Sequence, residues 1–63
     1  MRVKQFRASL VKARKNAGLN QHAAGALLDV SQGTVSNWES GRSAPAQPMQ
    51  VAAIAIIRRS TKS

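Results

Sequence analysis

Between Asn20 and Arg42 the chain reads NQHAAGALLDVSQGTVSNWESGR, and this stretch restricts the fold more than any other. Asn20 and Ser31 each precede a short run with helical spacing. Each offers a side-chain oxygen to the backbone N–H groups that the first turn of a helix leaves unpaired. At about 100° per residue, Ala24, Gly25 and Leu28 share one side of the first run, and Val35 and Trp38 share one side of the second. The spacing predicts helices over about 21–28 and 32–40, linked by a tight turn and packed together through those sides.

Opposite Val35 and Trp38, the second helix displays Gly33, Ser36, Asn37 and Ser40, with Gln32 at the flank. Nothing on that face is large, apolar or charged. A merely solvated helix normally carries Lys or Glu. Short amides and hydroxyls suit a helix pushed into the major groove of duplex DNA, where they reach base edges and bulk would hold the backbone away. The plainer reading is an ordinary polar surface.

The placement of charge favours the first of these. Lys and Arg number 10 against 2 acids, a net +8, which calls for an anionic partner such as nucleic acid or a membrane surface. Arg2, Lys4, Arg7, Lys12, Arg14 and Lys15 lie early, Arg42 stands alone, and Arg58, Arg59 and Lys62 lie late; residues 16–41 hold no Lys or Arg. A DNA reader divides its labour this way, with sequence-independent phosphate attraction on the flanks and directed hydrogen bonds in between. Sixty-three residues make one small domain, whose own core buries little apolar area, so a dimer would gain stability. There is no cysteine, hence no disulfide or thiolate metal site. The polar, basic start MRVKQFRASL is no secretory leader, and the longest apolar run, 51–57, is too short to span a bilayer, so a cytoplasmic protein is expected.

Val3, Phe6, Leu10, Ala13 and Ala17 recur at three and four, which predicts a helix over about 3–17 ended by Gly18 in a left-handed conformation. Arg14 borders that stripe and Glu39 borders the inner side of the 32–40 helix, so a partly buried Arg14–Glu39 ion pair is expected; the alternative for Arg14 is a solvated base whose stem covers the core. Trp38, one turn after Val35, reads as core rather than as a base-stacking residue. His22, near the start of its helix, reads as solvated, or else as the neighbour of a phosphate. Leu27 falls off the packed side. Gly41, Pro45 and Pro48 make RSAPAQP a loop. Beyond it, VAAIAII is apolar on every side and must be covered on every side. A helix over about 48–59 is preferred to a strand, with Ile54 and Ile57 expected against a second subunit; cover by the chain's own tail is the alternative.

The segment LNQHAAGALLDVSQGTVSNWESGRSAP resembles the helix-turn-helix of Cro/C1-type (XRE-like) phage and bacterial repressors, and the likeness reaches back through KARKNAG to cover roughly Lys4 to Ile57. Gln at the start of the second helix, Val-Ser at the turn and the ending Trp-Glu-x-Gly-Arg carry it. The resemblance implies an all-α domain of four or five helices; relatives often add a fifth, for which this chain ends too soon. It also implies that Gln21 bonds a phosphate and braces Gln32, and that Thr34 and Arg42 contact the DNA backbone. Relatives commonly pair the counterparts of Arg14 and Glu39. Two positions depart from the pattern. Ala24-Gly25 stands where relatives have a larger aliphatic residue and Ala, and Asp29 stands where Gly is usual. Gly25 costs about 1 kcal/mol in helix propensity, for which close approach of the next helix is the proposed reason.

The function expected is a sequence-specific repressor on double-stranded DNA, a homodimer reading a near-palindromic operator. Gln32 is the foremost base reader, able to make a pair of bonds to adenine; Asn37 has the same chemistry, Ser36 and Ser31 are weaker, and Gly33 reads nothing or allows a closer approach. Arg42 and Ser43 would hold a phosphate. Catalysis is not expected, because 2 acids and 1 histidine supply neither a carboxylate pair nor a metal cluster. No cofactor, metal or small-molecule ligand is expected. The rivals are a cationic membrane-active peptide, which a cooperative thermal transition without lipid would exclude, and an antitoxin-like interaction module, which purification as a stable dimer would disfavour.

Overall fold

The computed structural model describes residues 2–60, and of Val3 the backbone alone. Four helices follow one another: α1 (Val3–Asn16), α2 (Gln21–Leu28), α3 (Gln32–Ser40) and α4 (Gln47–Ser60). No strand occurs among the described residues.

The apolar stripe of α1 supplies Phe6, Leu10 and Ala13 to the core, where they meet Ala24 and Leu28 of α2, Val35 and Trp38 of α3, and Ala53, Ile54 and Ile57 of α4. Phe6 and Trp38 pack edge to face, their ring centroids 5.9 Å apart. That geometry sets the positive ring edge of one against the negative face of the other. Gly18, with φ +71°, turns the chain after α1, and Leu19 N–H closes back on Arg14 O.

The apolar helix α4 is a correction to the sequence reading. Ile54 and Ile57 are 6% and 0% exposed within the single chain, so they are core residues and not the outer face expected to meet a second subunit. The run looks apolar all round because its outer positions are small or aliphatic too. α4 packs on both α1 and α2 with its bulkiest side chains inward, Ile56 half-buried against the core, and turns Val51, Ala52 and, half-buried, Ala55 outward. Of these only Val51, 58% exposed, is large and well exposed. Gln50 sits on the buried side of α4, where its Nε2 donates to Pro45 O and ties the preceding loop to the helix. Pro48 falls in the first turn, where a missing N–H costs no hydrogen bond.

Candidate nucleic-acid interface

The α2-turn-α3 unit is built from its caps. Asn20 Oδ1 accepts from Ala23 N–H at 2.7 Å to start α2, and Ser31 Oγ accepts from Thr34 N–H at 3.1 Å to start α3. Between them Asp29 takes the left-handed conformation, φ 59°, which a short polar side chain tolerates better than most. Gly25 lies under the turn. A Cβ there would sit 2.7 Å from Val30 O and 3.3 Å from the Ser31 backbone. The close neighbour is therefore the turn itself rather than the body of α3. Val30 N–H bonds Gly25 O at 2.9 Å, so the absent methyl is what lets the turn fold so tightly over α2.

This pins the orientation of α3. Val35 and Trp38 point into the core, leaving Gln32, Gly33, Asn37 and Ser40 exposed in an uncharged row, with Ser36 half-buried beside them. Ser31 and Thr34 share a hydrogen bond between their hydroxyls, 2.9 Å long, on top of the cap. Their oxygens are thus engaged with each other in the free protein, whereas Gln32 and Asn37 are exposed along the row. At the far end, Ser40 Oγ donates to Asn37 O, Gly41 turns left-handed at φ 82°, and Arg42 N–H returns to Asn37 O at 3.0 Å. Arg42 and Ser43 leave the helix exposed.

Glu39 anchors the inner side of α3. Arg14 grips its carboxylate with Nε at 2.6 Å and Nη2 at 3.0 Å, while Nη1 of the same guanidinium donates to Leu19 O. The pair is largely sheltered, with side chains 14% and 8% exposed. Gln21 Nε2 also donates to Glu39 Oε1, at 3.0 Å. In the free protein the Gln21 amide N–H thus braces Glu39, a contact the resemblance did not imply, because an amide N–H prefers a charged oxygen to a neutral one. The sequence reading counted Arg7 only among the flanking cations and gave it no part in holding α3. Its Nε donates to Glu39 O at 3.2 Å, and its side chain covers Gly41 so closely that a Cβ there would lie 3.0 Å from Cδ. The available signal was spacing, because Arg7 and Arg14 stand two turns apart on one side of α1.

The row itself carries no cation. Arg2, Lys4, Arg7, Lys12, Lys15, Arg42, Arg58 and Arg59 are exposed, and Lys62 lies outside the described residues. His22 is exposed near the start of α2, and Leu27 is 43% exposed. Among the described residues no three of His, Cys, Asp and Glu come together, and no helix is long and apolar enough to cross a membrane.

A capped helix, a tight turn and a second helix with a bare polar face, carried on a small helical core, define a helix-turn-helix protein. A family model described as helix-turn-helix, of the Cro/C1 (XRE-like) type, matches residues 10–61, and the chain belongs to that family. It is accordingly a DNA-binding regulator of that type, and the family is a regulatory rather than an enzymatic one. Neither the curated proteins nor the solved structures include a significant match.

Proposed function

We propose that this chain, read as one domain, is a sequence-specific repressor that binds a near-palindromic operator as a homodimer in the cytoplasm. The observation that carries the reading is the exposed, uncharged row of Gln32, Gly33, Asn37 and Ser40 on a helix locked from behind. In a dimer, paired copies of α3 would enter successive major grooves about 34 Å apart. Gln32 would bond an adenine edge, Asn37 would read further along, and Ser36 and Ser31 would add weaker contacts. Gly33 would let the backbone approach its base pair closely. Thr34, Arg42, Ser43 and the free oxygen of the Gln21 amide would hold phosphates on either side and set the register.

The outward face of α4 around Val51 and Ala55 replaces Ile54 and Ile57 as the proposed dimer contact. A shallow groove of about 410 Å³ lined by Val51, Ala55, Arg58 and the edge of Ile54 lies there. The Val51→Glu variant is expected to sediment as a monomer and to lose operator affinity while keeping its helical signal.

Selection of binding sites from random duplexes tests the whole reading, the expected result being a symmetric site with half-sites one helical turn apart. Gln32→Ala should then lose about 1 to 3 kcal/mol and relax preference at one position in each half-site, whereas Arg42→Ala should weaken all sequences alike and lower the salt slope by about one. An unchanged ranking of operator variants with Gln32→Ala would overturn the reading geometry.

A further inference from the structure

The outer side of α1 carries a second stripe. Lys4, Arg7, Ala8, Val11 and Lys12, with Glu39 at one edge, line a groove of about 450 Å³. Ala8 is exposed and Val11 half-buried without belonging to the core, so together they form an apolar floor. Lys4, Arg7 and Lys12 are exposed around it. Glu39 offers this groove no free charge, because Arg14 and Gln21 hold its carboxylate and its side chain is 8% exposed. The other acid of the chain, Asp29, lies in the α2-α3 turn. The groove is therefore an apolar strip between cations that nothing on its own face neutralises.

We propose that this groove docks an acidic amphipathic helix of a different protein, an interaction beyond the DNA-binding reading and independent of it. Ala8 and Val11 are spaced to receive apolar side chains from a helix lying alongside, and Lys4 to Lys12 spans about 12 Å, room for roughly two turns. Carboxylates beside the partner's apolar stripe would meet Lys4, Arg7 and Lys12. Their charge sets the choice of partner and speeds encounter, while the strip supplies burial. A second copy of this chain is the wrong occupant, since it brings +8 and only 2 acids. A nucleic-acid backbone would satisfy the cations and leave Ala8 and Val11 wet.

The test titrates the isotopically labelled 63-residue chain with a synthetic peptide of about 14 residues, Leu on one helical face and Glu elsewhere. Its controls are a scrambled peptide of equal composition, a version with Lys for Glu, and a random-sequence duplex. The expected result is amide shifts concentrated between Lys4 and Lys12 with the acidic peptide and none with the Lys peptide. Binding should be about tenfold weaker for the scrambled peptide and for Val11→Asn, in line with losing one aliphatic contact. Val11→Asn should keep the wild-type thermal midpoint and duplex affinity. Should it fold poorly, Ala8→Gln repeats the measurement at an exposed position. Equal binding of the scrambled peptide would reduce the groove to diffuse charge attraction and overturn the proposal. So would shifts confined to α3 and the loop after it, or a duplex that perturbs Lys4 to Lys12 as strongly as the peptide does.

Discussion

Glu39 receives hydrogen bonds from Arg14, Gln21 and, at its backbone carbonyl, Arg7, and so fixes α3 to both α1 and α2. Removing one partner of a sheltered ion pair leaves the other stranded, which is costlier than removing both. Glu39→Gln should therefore destabilise the domain by about 2 kcal/mol, less than the value for full burial because Arg14 keeps its bond to Leu19 O. The double variant Arg14→Met with Glu39→Leu should lose clearly less than the sum of the single replacements, a coupling that a double-mutant cycle with Trp38 fluorescence would measure. Arg7→Ala should cost about 1 kcal/mol, read from the same transition. The Arg14–Glu39 pair was legible in the sequence because opposite charges bordered facing apolar stripes. Arg7 was not, because its acceptor is a main-chain carbonyl, which no pattern of side chains announces. The Gln21–Glu39 bond went unseen for a related reason: several acceptors lie within reach of an amide, and choosing among them takes distances.

The boundaries of α2 and α3 are written in the caps Asn20 and Ser31 and the stop at Gly41, local chemistry that needs no tertiary context. Gly25 is the informative exception. Helix propensity alone makes Gly25→Ala stabilising by about 1 kcal/mol, yet the added methyl would press on Val30 O at 2.7 Å, where backbone cannot step aside cheaply. The expected outcome is a lower thermal midpoint, with net destabilisation of about 1 to 2 kcal/mol. A higher midpoint would show that the turn relaxes freely. The inward side of α4 was hidden for the opposite reason: with Val, Ala and Ile on every side, periodicity has no contrast, and side-chain size becomes the better guide. Ile54 and Ile57 went inward because α4 crosses both α1 and α2, which no local reading of VAAIAII reveals.

At the scale of the whole molecule, net charge of +8 should make binding to duplex DNA fall steeply with salt, whatever its sequence. If the chain dimerises, its thermal midpoint should rise with protein concentration, and Val51→Glu should abolish that dependence. The tethers that hold α3 to its neighbours lie on its core-facing side or at its closing turn, and none of them uses the side-chain amide of Gln32 or Asn37. Letters can then be changed without rebuilding the page. Exchanging Gln32, Gly33 and Asn37 together for other polar residues should redirect the protein to a different operator while the melting curve barely moves. A family of regulators with new targets could arise from this scaffold by substitution at those few places alone.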